Sequence, residues 1–253
     1  MAEQEKSNIN KISKLINEMR GRGSKKRSQT QNSTTQNTTA KRKKVDESSQ
    51  TENDVEHVRL CDAEDSENPD IWILSDSILY WAGKRANDMG QPNLSLPNNT
   101  SIGWFGVRGL KWIDFHRQLQ RRMLQNTSPR VIVIHLGGND LTSISICSLI
   151  RKVSESIRYL FQTFPDAVIV WLDIFQRILW SGAESVKSVE VKRKRINYIG
   201  LKLVSENSRG RHFTIDIDHK NSALFRPDGI HLSDTGLDLT LEALKSFLIQ
   251  FAR

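Results

Sequence analysis

Val131-Ile132-Val133-Ile134-His135-Leu136-Gly137-Gly138-Asn139-Asp140 joins a run dominated by β-branched residues to a polar turn led by glycine. Apolar residues that follow one another without polar alternation suit a strand buried on both faces, and such strands belong to parallel sheets covered by helices. Gly137 and Gly138 end the run, so Asn139 and Asp140 stand just beyond the strand's carboxyl end. Ligands of open parallel sheets bind in the crevice found there. One segment therefore predicts both an architecture and a place for chemistry.

Outward from it the pattern repeats. Ile71-Trp72-Ile73-Leu74 is a second short apolar run, followed by Ile78, Leu79, Trp81, Ala82 and Ala86 at helical spacing. Ser101 to Phe105 reads as a strand, and Leu110, Trp112, Ile113, Phe115, Leu119 and Met123 as a helix. Ile144 to Phe164 carries a long amphipathic helix, Ala167 to Leu172 a further strand, and Ser185 to Glu206 a helix containing the basic run Lys192-Arg193-Lys194-Arg195. Phe213 to Ile217 reads as the last strand, and Leu237, Leu239, Leu241, Leu244, Phe247 and Leu248 mark a closing helix. Strands alternating with helices predict an α/β fold, a three-layer α/β/α sandwich with a mostly parallel sheet of about four or five strands, over residues 69–253.

Two more polar islands lie at the ends of predicted elements, Ser75-Asp76-Ser77 and Asp228-Gly229-Ile230-His231. A nucleophilic hydroxyl needs a base to take its proton, the base needs an orienting carboxylate, and a tetrahedral oxyanion needs donors aimed at it. Ser77, His231, Asp228 and Asn139 supply those types. An Asp three residues before a His can hold the imidazole through one ring nitrogen while the other faces the serine. Taken singly each island has a plainer reading: Ser77 as an N-cap of its own helix, Gly137 to Asp140 as a turn, and Gly109 as a tight bend. Asp140 reads as a residue that holds its loop rather than one that reacts.

In their order along the chain these residues resemble the blocks of the SGNH, or GDSL-type, hydrolases: Gly-Asp-Ser, a lone Gly, Gly-x-Asn-Asp and Asp-x-x-His. The resemblance covers roughly Asp70 to Arg253. It implies a flavodoxin-like hydrolase fold in which Ser77 is the nucleophile, Asp228 and His231 complete the triad, and the Ser77 N–H, the Gly109 N–H and the Asn139 amide form the oxyanion hole. It implies no metal and no cofactor. Ser75 stands where the family has Gly, and because Gly serves bends and close approaches, an altered turn is expected there. A looser similarity exists to the esterase-like domains in the first reading frame of some non-LTR retrotransposons.

Composition changes sharply before residue 69. Met1 to Val45 carries twelve Lys and Arg against three acids, whereas Asp46 to Asn68 carries nine acids against one Arg. Between the charge blocks, Ser28 to Ala40 consists almost wholly of Ser, Thr, Gln and Asn, too polar to offset the entropy of ordering. Residues 1–68 are therefore expected to form a largely disordered tail, with a short amphipathic helix over residues 8–20 carrying Ile9, Ile12, Leu15, Ile16 and Met19. Lys41-Arg42-Lys43-Lys44 reads as a nuclear-import signal, a nucleic-acid contact patch or a solvated charge run.

Cys61 and Cys147 do not make a disulfide framework. Asp216, Asp218 and His219 read as a solvated strand end before a metal set, His116, His135 and His212 as structural or surface residues, and His57 as part of the tail. Trp104, Phe105, Trp112, Phe175 and Trp180 read either as core or as the wall of an apolar acyl pocket. No run approaches the roughly 18 apolar residues of a membrane span, and Met1 to Glu5 lacks the basic start and apolar region of a secretory signal. The expectation is an intracellular protein, cytoplasmic or nuclear, acting on a small ester or acetylated substrate. The alternative is a catalytically weak or silent hydrolase-fold module of retroelement origin that binds nucleic acid, or assembles, through its basic tail.

Overall fold

The computed structural model describes residues 68–252. The expectations placed on the tail, namely its disorder, the helix over 8–20, the Lys41 to Lys44 patch, Cys61 and His57, lie outside the described residues. Strands β1 (Ile71–Ser75), β2 (Ile102–Gly106), β3 (Val131–His135), β4 (Val168–Leu172) and β5 (Gly210–Phe213) form one sheet in the order β2-β1-β3-β4-β5, every pairing parallel. Helices α1 (Ser77–Asp88), α2 (Trp112–Gln125), α3 (Ile146–Thr163), α4 (Val186–Ser205) and α5 (Asp234–Leu248) make the crossovers and the outer layers.

The alternation of side chains along each strand separates two cores. Ile71, Ile73, Val131, Val133, Val170 and Leu172 point to one face, where Ile78, Leu79, Ala82 and Ala86 of α1 and Leu237, Leu241, Leu244 and Leu248 of α5 cover them. Trp72, Leu74, Ile132, Ile134, Ile169 and Trp171 point to the other, beneath Trp112, Phe115 and Leu119 of α2, Leu149, Val153, Ile157 and Leu160 of α3, and Ile196 and Val204 of α4. A strand buried on both sides needs apolar residues at both parities, which is why β1, β3 and β4 are unbroken apolar runs. The three-layer sandwich is thus as expected, at the upper strand count.

The last strand is a correction. It spans Gly210–Phe213 rather than Phe213 to Ile217. As an edge strand β5 pairs only with β4, so Arg211 and His212 carry no buried-strand signature. Ile215 and Ile217 are buried without joining the ladder, as part of the first core. Burial without pairing looks like a strand in an apolar pattern.

Register places the ends of the three central strands level. Ser75 pairs with Gly106 on one side and with His135 on the other, so the segments after β1, β2 and β3 leave the sheet side by side. Strand order reverses between β1 and its two neighbours, the switch point at which doubly wound sheets open a crevice. Side-chain caps then start the helices. Asp76 accepts from the Ile78 N–H, Ser145 from Ser148, Ser185 from Ser188 and Ser233 from Gly236. Among the described residues no helix is long and apolar enough to cross a membrane.

Candidate active site

Ser77 is the first residue of α1 and nearly buried, and the cap of that helix is Asp76, whose carboxylate accepts from the Ile78 N–H at 3.0 Å. The Ser77 hydroxyl is therefore not consumed in capping, as the plainer reading supposed. It lies 3.0 Å from Nε2 of His231. The other ring nitrogen, Nδ1, meets Asp228 Oδ2 at 2.7 Å, while Asp228 Oδ1 accepts from the N–H groups of Ile230 and His231 at 2.8 and 2.9 Å. Desolvation alone would raise the Asp228 carboxyl, but these hydrogen bonds from the His231 ring and the two backbone amides outweigh it and hold the group at about 2. Asp228 is ionised at neutral pH.

The loop that delivers His231 is tied down at several points. Arg226 donates its N–H to the His231 carbonyl at 2.8 Å, Gly229 donates to Arg226 at 2.9 Å, and Leu179 donates to the Gly229 carbonyl at 2.9 Å. Phe225 and Leu232 close it as an isolated antiparallel bridge. The imidazole is thus oriented by backbone contacts as well as by its carboxylate.

Two loops face Ser77 across the cleft. Val107 to Leu110 is a turn closed by the Leu110 N–H on the Val107 carbonyl at 3.1 Å, and Gly109 occupies its third position at φ +72°, a conformation that disfavours side chains. Gly109 donates its own N–H to no acceptor among the described residues. Asn139 donates one amide hydrogen to the Leu110 carbonyl at 3.1 Å, which leaves its second N–H for another partner. Ser77, Gly109, Asn139 and His231 line one cleft of about 780 Å³.

Behind these loops sit Asp140 and His135, read from the sequence as a loop-holding and a structural residue, and Arg177, which the sequence did not single out. Arg177 is buried, donates to Asp76 Oδ2 at 3.3 Å and packs against Gly138 so closely that a Cβ there would collide with its guanidinium. It also lies over the Trp180 ring at 5.0 Å. Gly138 is glycine because that arginine passes beside it. Asp140 accepts from the N–H of Trp112, the first residue of α2, at 3.3 and 3.4 Å, which joins the Asn139 loop to the helix beyond Gly109. His135 is fully enclosed beside Phe175, and burial lowers its pKa. No sequence pattern marks Arg177, since its partner is 101 positions away.

The other expectations divide. Ser75 closes β1 within the ladder, its hydroxyl donating to the Asp76 carbonyl at 3.2 Å, and it has no positive φ, so glycine's freedom is not required there. Of the five aromatics, Trp180 lines the cleft, Trp112 and Phe175 belong to the two cores, and Trp104 and Phe105 are half-buried away from it. Lys192 and Arg193 of the basic helix turn inward, to the Leu141 carbonyl at 3.0 Å and to Glu190 and the Ile174 carbonyl at 2.9 Å each, leaving only Lys194 and Arg195 exposed. Arg108 is exposed on the rim of the cleft. Among the described residues no group of three or more His, Cys, Asp or Glu is arranged to hold a metal ion.

Comparison of the sequence with protein-family models gives no match, and comparison with curated protein sequences gives none. The fold does have solved counterparts. A GDSL-like lipase from Bacteroides thetaiotaomicron superposes with a TM-score of 0.55 at 13% identity, over 79% of this chain and 96% of that one. A lipase/acylhydrolase from Enterococcus faecalis does so with a TM-score of 0.52 at 15% identity, over 72% and 97%. A carbohydrate esterase of family 3 from Talaromyces cellulolyticus gives a TM-score of 0.51 at 16% identity, again over 72% and 97%. The sandwich of this chain shares its fold with that lipase, acylhydrolase and esterase.

Proposed function

We propose that the chain is a serine hydrolase of carboxylic esters or O-acetyl groups. The observation that carries this reading is the contact of the Ser77 hydroxyl with His231 Nε2 at 3.0 Å, with an ionised Asp228 on the far side of the same ring. His231 takes the hydroxyl proton as Ser77 Oγ bonds to the acyl carbon, and the carbonyl π electrons move onto oxygen. The N–H groups of Ser77 and Gly109 and the free amide hydrogen of Asn139 receive that oxyanion. Collapse expels the alcohol, which leaves with the proton held by His231. A water, deprotonated by His231 in turn, attacks the acyl-serine and releases the acid.

Three features support the assignment beyond the contact itself. The first turn of a helix has backbone N–H groups without intrahelical partners, and Ser77 stands in such a turn at the switch point of the sheet. Asp228 and the loop hydrogen bonds fix the ring tautomer that places a lone pair toward the hydroxyl. The neighbours in fold are named as esterases, lipases and acylhydrolases. Hydrolysis of p-nitrophenyl acetate by the purified chain, its loss in Ser77→Ala, and covalent labelling of Ser77 by a fluorophosphonate are the expected results. Labelling of another residue, or turnover unchanged in Ser77→Ala, would overturn the proposal.

A further inference from the structure

The cleft around Ser77 and His231 is lined by five cationic side chains, Arg108, Lys111, Arg121, Arg122 and Arg177, and by no carboxylate. The acids adjoining it are already engaged: Asp228 with His231, Asp76 with Arg177, and Asp140 on the Trp112 N–H. Arg122 lies over the Phe105 ring at 4.5 Å. Arg108 likewise lies over the Trp81 ring, at 5.5 Å, and among the described residues no carboxylate lies within ion-pair distance of Arg108, Lys111 or Arg121. The single acid of α2, Asp114, is paired with Arg117 at 2.9 Å.

The arrangement follows from helical spacing. Lys111, Gln118, Arg121 and Arg122 all line the cleft, and residues three, four and seven apart share one face of a helix. At a rise of about 1.5 Å per residue, the cations from Lys111 to Arg121 extend roughly 15 Å from the Gly109 turn. A concave wall of one sign focuses its field into the cleft and raises the local concentration of counter-charged ligand. Guanidinium groups also match the oxygens of phosphate and carboxylate in pairs. An ester without charge would leave this potential unanswered.

We propose that the ester processed at Ser77 carries an anionic group, a phosphate or a carboxylate, on the part of the molecule that lies along α2, with Arg108, Lys111 and Arg121 as its recognition residues. The inference rests on the hydrolase reading of the same cleft and adds the class of substrate. Reaction at the scissile carbonyl is unchanged, because the anion lies on the part of the substrate that does not react.

The test is equilibrium binding to the full chain carrying Ser77→Ala, which separates recognition from turnover. The probes are 4-acetoxyphenyl phosphate and its uncharged counterpart, 4-methoxyphenyl acetate. The charged ester is expected to bind about tenfold more tightly or better at low salt, with the preference shrinking as salt rises. Replacing the three cations together, Arg108→Gln, Lys111→Gln and Arg121→Gln, abolishes the preference. Replacing three exposed cations away from the cleft, Arg151→Gln, Arg158→Gln and Lys187→Gln, keeps it. Equal affinity for the two esters overturns the proposal, and so does a preference that survives loss of the three cleft cations. A single-stranded oligonucleotide that displaces the charged ester through the same three residues and binds more tightly overturns it too, since the cleft would then be a groove for nucleic acid. Absence of hydrolysis by the native chain alongside a retained binding preference would count against the hydrolase reading and leave the recognition of anions standing.

Discussion

Burial pushes the Asp140 carboxyl from its ordinary 3.8 up to about 6, against the Trp112 N–H and the Lys111 charge, which pull it down. A carboxyl raised in the folded state binds more protons folded than unfolded between those values, so its contribution to stability falls as pH rises from about 4 to about 6. Buried His135, its pKa lowered by desolvation, acts in the opposite sense as pH falls below 6.5. The two are separated by comparison with Asp140→Asn, which keeps an acceptor for Trp112 and loses the charge. The stability of Asp140→Asn relative to wild type is expected to increase from pH 4 to pH 6 in urea titrations; a difference independent of pH would refute the assignment. Asp228 obeys the other sign. Held at about 2, it contributes stability above 3.8 that is lost as pH falls toward 2. It does not titrate near neutrality, so Asp228→Asn should lower kcat/KM for p-nitrophenyl acetate by roughly 10³- to 10⁴-fold at neutral pH. Replacing Arg177 by Met leaves Asp76 buried without its cation, and removal of one partner of a buried pair costs about 3–5 kcal/mol, measurable as a lower urea midpoint.

At the scale of elements, the seat of α4 on the sheet is set by one position. Gly200 faces Trp171 of β4, and a Cβ there would overlap the indole. Gly200→Val is therefore expected to lift α4 and destabilise the fold by about 1–3 kcal/mol, the usual range for overpacking. Because Asn197 of the same helix holds both the N–H and the carbonyl of Ile174, at 2.9 and 3.0 Å, the displacement should reach Arg177 three residues on and reduce the proposed esterase activity as well. The elements themselves were legible in the sequence wherever burial is two-sided or helical. β1, β3 and β4 are continuous apolar runs, and the helices carry apolar residues at helical spacing. β5 was not legible, because an edge strand made of Gly, Arg, His and Phe has no period to detect. Arg177 was not legible for a different reason. A lone buried arginine reveals its role only through Asp76 and Gly138, which are distant in sequence.

At the scale of the whole molecule, both cores close, among the described residues, on side chains between Ile71 and Leu248. A fragment of residues 68–253 is accordingly expected to keep the circular dichroism and the thermal transition of the full chain, and to hydrolyse p-nitrophenyl acetate at the same rate. If removal of residues 1–67 unfolds the remainder, the division at residue 69 is wrong. Ser77, Gly109, Asn139, Asp228 and His231 are singled out in order along the sequence, but the meeting of Ser77, Gly109, Asn139 and His231 in one cleft, with Asp228 behind the His231 ring, depends on the β1–β2–β3 register and on the anchored loop before α5.

Ser77 and His231 are separated by 154 positions, and α5 covers one face of the sheet. During synthesis on the ribosome, the nascent polypeptide holds the alcohol of the proposed nucleophile long before its proposed base exists. Under the proposed function, competence for hydrolysis arrives late, together with α5, so a prematurely terminated product is expected to be both uncovered on that face and inert toward esters.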